Sequence, residues 1–205
     1  LNRELRAITA CNQALVRATD EQSLLEDICR IVCRVAGYRM AWVGFAQQDA
    51  EQTVKPIAWA GAEDGYLSQI KIVWSETPNG LGPTGTCIRS RQPCHIADFA
   101  AEAEIIPWRS AALERGYRSS IALPLLDEQR EPLGAFMVYA AQPNAFTAEE
   151  VRLLGELAND LAFGIMNLRA RAERKQAQEA LQASERNLRS LLDTIPESAF
   201  MMRPN

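Results

Sequence analysis

Apolar positions divide this chain into a helical start, an irregular middle and a long, regular end. Leu154, Ala158, Leu161, Ile165, Leu168 and Ala172 recur at alternating steps of four and three, which keeps them on one side of a helix. Ala177, Leu181, Ser184, Leu188, Leu191 and Ile195 repeat the rule, but the step from Ala172 to Ala177 is five, so the stripe changes phase at Glu173 to Gln176. Upstream, Thr147 and Glu150 form a T-x-x-E capping box, and Phe146 is placed to staple onto Val151. Nothing breaks the pattern before Pro196. The spacing predicts one helix from Thr147 to about Asp193, about 46 residues or roughly 69 Å at the α-helical rise. Its phase change is the expected hinge between two stretches of helix pairing.

Toward the other end, Leu1, Leu5, Ile8 and Leu15 share one side of a helix running to Val16, with Asn12 interrupting the stripe. A polar residue at such a place can fix the register of paired helices. Thr19 to Gln22 reads as a T-x-x-Q cap for a second helix ending at Gly37. Met40 to Ala46 and Val54 to Ala60 are short and rich in aromatic and branched residues, which predicts two strands. Ser119 to Leu126 and Leu133 to Ala141 predict a hairpin around the polar turn Asp127 to Glu131.

Between these pairs, Gly61 to Tyr117 is irregular, carrying Gly65, Gly80, Gly82, Gly85 and Gly116 with Pro78, Pro83, Pro93 and Pro107. Long irregular segments in a compact domain tend to be functional. A short helix at Gly85 to Ser90, a strand at Pro93 to Ala97 and a helix at Trp108 to Arg115 are expected inside it. The predicted fold class is α+β: a central antiparallel sheet with the end helices on one face and the loop-rich middle on the other.

With 205 residues, 47% of them hydrophobic, the chain can bury one core of ordinary size besides the long helix. A net charge of -4 leaves no basic surplus for a phosphate backbone, so no nucleic-acid partner is expected. No apolar run approaches the ~20 residues of a membrane span, and no membrane contact is expected. The chain opens at Leu1 without a methionine and is read as a part of a longer protein. Five cysteines give no even framework of bridges, which fits a reducing, cytoplasmic location. Cys29 and Cys33 lie one helical turn apart, but among Leu25, Ile28, Val32 and Val35 and with no histidine near, they read as small buried side chains. No metal or other cofactor is expected.

The segment "GYRSSIALPLLDEQREPLGAFMVYAAQPNAFTAEEVRLLGELANDLAFGI", from Gly116 to Ile165, resembles the final hairpin and helix of a GAF domain. "GPTGTCIRSRQPCHIADF", from Gly82 to Phe99, is similar to that family's glycine-bearing helix start, the strand after it and the aspartate that closes it. The resemblance spans roughly Glu21 to Asn167. It implies an antiparallel sheet with the first and last helices on one face and a small-molecule pocket on the other. The tail "SERNLRSLLDTIPESAFMMRPN" resembles the entry of a PAS domain, cut off after its first strand. The expected organisation is a signalling helix at 1–18, a GAF sensor domain at 19–167, a coiled-coil linker at 168–193 and a truncated PAS start at 184–205. Such an order resembles bacterial proteins that end in a histidine kinase or a cyclic-di-GMP enzyme.

GAF relatives bind cyclic nucleotides, bilins, haem or small anions, so the residues must choose. The cyclic-nucleotide signature is not visible. Cys94-His95 is similar to a bilin-holding pair but stands before Asp98 in an expected strand, whereas the family's pair follows the aspartate in a helix. His95 is the single histidine and reads as an ordinary strand residue. Free-methionine-sulfoxide reductases are GAF enzymes working through cysteines near Cys87 and Cys94; the third cysteine, expected between Pro107 and Tyr117, is missing. Ligand-binding residues are expected at Trp108, Arg109, Arg118, Ser119 and Ser120, with Asp98 orienting a pocket loop and Cys87 at a helix start. Guanidinium groups and hydroxyls over an apolar sheet face suit a small acidic metabolite. The plain alternative puts the arginines on a solvated rim, the tryptophan in the core and Asp98 in a turn cap.

The resulting expectation is a non-catalytic cytoplasmic sensor, a homodimer through its N- and C-terminal helices, that relays ligand state along a coiled coil. A ligand-free dimerisation spacer and a reductase-like enzyme are the alternatives.

Overall fold

Near-continuous apolar runs in the middle of the chain build a five-stranded sheet whose order is β2-β1-β5-β4-β3, every neighbouring pair antiparallel. The strands are β1 (Met40–Ala46), β2 (Val54–Gly61), β3 (Cys94–Ile96), β4 (Ser119–Leu126) and β5 (Pro132–Ala140). The computed structural model describes residues 2–101 and 108–193, with side chains from residue 6 to residue 190 apart from that internal gap. By contacts the chain forms two units, 1–166 and 167–205.

Helices α1 (Asn2–Arg17) and α2 (Glu21–Arg34) precede the sheet, and α6 (Ala148–Asp193) follows it. α2 lies along β1 and β2, sinking Leu24, Leu25, Ile28, Cys29 and Val32. Cys29 and Cys33 donate to the Ala58 and Ala60 carbonyls at 3.7 and 3.2 Å. That is the small-residue packing expected of them. The first cap differs from the expected T-x-x-Q box. Asp20 is the N-cap, in extended backbone, and its carboxylate accepts from Ser23 N at 2.8 Å. An ionised carboxylate one residue closer to the helix is the stronger acceptor for the orphan N–H groups.

The expected box at the start of α6 is present: Thr147 N donates to Glu150 Oε2 at 2.9 Å and Glu150 N to Thr147 Oγ1 at 3.3 Å. Phe146 stacks on Tyr38 at 5.7 Å. In the first unit α6 buries Leu154, Leu157, Ala158, Leu161, Ala162 and Ile165. Gly164 allows a close approach, since a Cβ there would stand 2.7 Å from Leu15 Cδ2 of α1 and 3.3 Å from Leu24 Cδ2 of α2. In the second unit the helix is continuous to Asp193, and Leu181 and Leu188 are 61% and 58% exposed. The strand of the expected PAS start lies outside the described residues.

The second layer is built from short pieces: α3 (Tyr66–Gln69), a 3-10 turn at Pro78–Gly80, α4 (Pro83–Ser90) and α5 (Arg109–Glu114). α3 and the 3-10 turn were not legible as elements, because four- and three-residue helices leave no periodicity. α4 covers β3, β4 and β5, and its Cys87 and Ile88 join Met40, Trp42, Ala122, Met137 and Tyr139 in one core. Residues of the opposite parity, among them Ala41, Val43, Ile121, Leu123, Phe136 and Val138, are fully buried as well. Both faces of the sheet are therefore covered. At its margins, β3 has only three residues and β2 carries Pro56 at the point where its register with β1 shifts.

Leu161 is fully buried in the helical layer. Leu161→Ala is expected to lower the unfolding free energy by about 2 to 5 kcal/mol, the range for a buried leucine truncation. Urea denaturation followed by circular dichroism measures it, and a loss below ~1 kcal/mol contradicts the packing described.

Candidate functional site

Between the sheet and its second layer lies a cavity of about 20 Å³, room for about one water-sized occupant. Three adjacent strands supply its floor. Trp42 of β1 faces Met137 of β5 in the register, and Tyr139 of β5 faces Ser120 of β4, so all four project from one face. Tyr66 of α3 and Phe99 make walls, and Trp108, Lys71 and the start of α4 stand at the rim. Gly82 precedes α4 and has no Cβ for good reason: one there would lie 2.0 Å from the Trp108 ring.

Aromatic rings pack tightly beneath this cavity. The Tyr139 ring centre lies 4.7 Å from Tyr117, 5.8 Å from Tyr66 in an edge contact, and 6.4 Å from Phe99 in a stack. Tyr117 donates its hydroxyl to the Ala62 carbonyl. Burial pushes the Tyr66, Tyr117 and Tyr139 phenols well above their ordinary range, so all three stay protonated at any physiological pH. The Trp42 N–H and Tyr66 hydroxyl are near enough to Tyr139 to pull its phenol the other way. Neither reaches hydrogen-bond geometry, however. The Trp42 Nε1, Tyr66 Oη and Ser120 Oγ atoms are buried and make no hydrogen bond, and all three residues line the cavity.

Of the residues expected to bind a ligand, Trp108 and Ser120 line the cavity together. The others have different partners, which corrects the expectation of guanidinium groups above the sheet face. Arg109 donates to the Phe99 and Ala100 carbonyls at 2.7 and 2.9 Å. Arg118 grips Asp98 with two hydrogen bonds of 3.0 and 2.8 Å. Ser119 donates to the Gln142 carbonyl at 2.7 Å. Cys87 is the fifth residue of α4 rather than at its start, and is buried on the helix's inner side, where burial pushes its thiol far up, with Cys94 adding in the same direction. A buried, protonated thiol is a poor nucleophile. His95 is exposed on β3.

Trp42, Tyr66 and Tyr139 are site residues that the sequence reading missed. Arg115 does not line the cavity but lies 5.5 Å over the Tyr66 ring and donates to the Glu63, Asp64 and Ala111 carbonyls. Among the described residues Lys71 is the one charged residue lining the cavity, and its Nζ bonds Glu51 at 2.6 Å in an exposed pair. Among the described residues no group of three histidine, cysteine or acidic side chains is placed to hold a metal ion. None of their helices is long and apolar enough to cross a membrane.

The Asp98–Arg118 clasp makes a pH prediction. The Arg118 hydrogen bonds, then the Ala100 N–H, hold the Asp98 carboxyl below its ordinary value. A lowered carboxyl pKa contributes stability that is fully present above the unfolded value, about 3.9, and is lost as pH falls through the folded one. Asp98→Asn is therefore expected to destabilise the chain at pH 7 and to flatten the loss of stability below about pH 4. Melting temperatures from pH 2 to 7 for both proteins check this, and parallel curves contradict it.

The GAF domain model matches residues 18–166. No curated protein matches the chain. Among solved structures, the chain is similar to the free methionine-R-sulfoxide reductase from Neisseria meningitidis, solved with its substrate, at 16% identity and a TM-score of 0.66, over 82% of this chain and 90% of that one. It is similar to the GAF domain of a phosphoenolpyruvate-protein phosphotransferase from Coxiella burnetii at 18% identity and a TM-score of 0.65, over 83% and 97%. It is also similar to a domain of a putative two-component sensor histidine kinase protein from Sinorhizobium meliloti 1021 at 18% identity and a TM-score of 0.59, over 76% and 96%. At such identities the likeness is one of fold. The match of the family model over most of the chain goes further, and the chain belongs to the GAF domain family.

Proposed function

We propose that this chain is the small-molecule sensing module of a cytoplasmic signal-transduction protein, acting as a homodimer and carrying no catalytic step of its own. The observation that carries the reading is the cavity. Three buried polar atoms face it without partners. Buried polar atoms in natural domains are almost always met by a partner, whether protein, ordered water or ligand, and a ligand is the reading adopted for these three. Occupancy would shift the packing of the sheet and pass along α6. Beyond residue 170 every described side chain of that helix is exposed, including Leu181 and Leu188. Isolated helices draw their stability from packing, so this stripe fits pairing with a second copy. A PAS domain followed by a histidine kinase or a cyclic-di-GMP enzyme is the proposed continuation.

A ligand-free spacer is the second reading, favoured by the small volume of the cavity. The non-catalytic assignment draws support from Cys87, whose thiol is buried and pushed up. Native mass spectrometry of the chain, joined to a melting-temperature screen of small metabolites, separates sensor from spacer. A sensor is expected to show a dimer mass and a rise in melting temperature with at least one compound, because a ligand of the folded state must stabilise it. A monomer, or no shift across the screen, contradicts the proposal.

The phase change supplies a second test. Deleting two residues between Glu173 and Gln176 brings the two stripes into one alternation. In the protein carrying this chain and its output domain, the deletion is expected to lock the output on or off, read as autophosphorylation or cyclic-di-GMP turnover. An unchanged ligand response excludes the hinge.

A further inference from the structure

The three unpartnered atoms say more than that something binds. The Trp42 indole N–H can only donate, while the Tyr66 and Ser120 hydroxyls can donate or accept. All three side chains are fully buried and line the same cavity. Trp42 and Ser120 stand on the outer two of three neighbouring strands, with Tyr139 between them, and both Trp42 and Tyr66 sit close to the Tyr139 phenol. The groups thus gather around one spot above β5. Among the described residues no aspartate or glutamate lines the cavity, so none of them offers a cation a counter-charge. At the rim, α4 starts at Pro83 behind Gly82 with no side chain capping it, and Thr84 and Gly85 line the cavity. A helix start adds a further positive pole.

We propose that the cavity takes a small ligand by its oxygen acceptor, a carbonyl or carboxylate, which receives hydrogen bonds from Trp42 Nε1, Tyr66 Oη and Ser120 Oγ. The proposal rests on the sensing role above and names its ligand class. The acceptor end sits deep, on the sheet. Because the cavity has a volume of only about 20 Å³, the remainder of the ligand displaces the rim, where Lys71 and Asn79 are exposed and Trp108 is half-buried. An acidic molecule is accommodated without an arginine: neutral donors and a helix start receive its carboxylate, as they would a neutral amide.

Protein labelled with 15N-tryptophan tests this, with Trp42→Phe identifying the Trp42 indole signal. The probes are acetate and acetamide, which accept, methylammonium, a cation of similar size, and xenon, which is apolar. Acetate and acetamide are expected to shift the Trp42 indole N–H saturably, while methylammonium leaves it unmoved. A Tyr66→Phe, Ser120→Ala double variant is expected to bind acetamide at least about tenfold more weakly, from the loss of two hydrogen bonds. Without ligand the same variant is expected to melt no lower than the parent, because it removes polar atoms that have no partner. Should the variant melt lower, or bind acetamide unchanged, the donor assignment is overturned. If methylammonium or xenon enters and the acceptors do not, the ligand class is wrong while the cavity remains a binding site. If none of the probes enters, the acceptor proposal and the sensing role fall together.

Discussion

Guanidinium groups hold the irregular half of this domain in place. Backbone carbonyls in a helix or sheet find their partners in the ladder, but those of a long loop do not. Here arginines provide them. Arg89 donates to the carbonyls of Trp74, Ser75 and Gly80, Arg109 to those of Phe99 and Ala100, and Arg115 to those of Glu63 and Asp64. Arg118 binds the Asp98 side chain, while its own carbonyl accepts from Phe99 N. A planar fork with five donors suits several carbonyls converging from different turns, and a lysine would not replace it. The same geometry explains the polarity of the cavity. With the arginines committed to the loops, the buried groups left to face a ligand are neutral hydroxyls and an indole, with Lys71 at the rim.

Much of this architecture is legible in the sequence because its signals are local. The capping box at Thr147 and Glu150, the turn at Asp127 and the branched strands each depend on a few neighbouring residues. What was not legible is which residues face the cavity. Alternation reveals a sheet face only when the other face meets water. In β1, β4 and β5 nearly every residue is buried, so Trp42 and Tyr139 look no different from Val43 and Val138. Tyr66 was hidden for another reason, since its helix is one turn long. Arg109 and Arg118 were noticed but given the wrong partners. A charge beside a loop can meet a ligand or the loop's own carbonyls, and only the backbone path tells them apart.

The doubly covered sheet links the cavity to the rest of the unit. Tyr139 lies under the cavity, and Val138, the next residue on the strand, is buried on the reverse face. Interiors packed to crystal density do not absorb displacement by compression. Movement of the central strand on one side must therefore be met by adjustment on the other. This sheet is a thin partition between a binding layer and a helical layer. It needs no dedicated lever.

The margins of the sheet restrict how the molecule can assemble. An open edge strand is a template for another chain's backbone. Pro56 removes a donor from β2, whose first residue Val54 already donates outward to the Ile72 carbonyl, and β3 is too short to offer more than a few groups. Neither margin invites a continuous intermolecular sheet. Fusing copies strand to strand is disfavoured, as is the fibrous aggregation that begins that way, so stickiness can be confined to helical surfaces. A module of this kind can be placed in series with others along a polypeptide without neighbouring copies annealing through their cores.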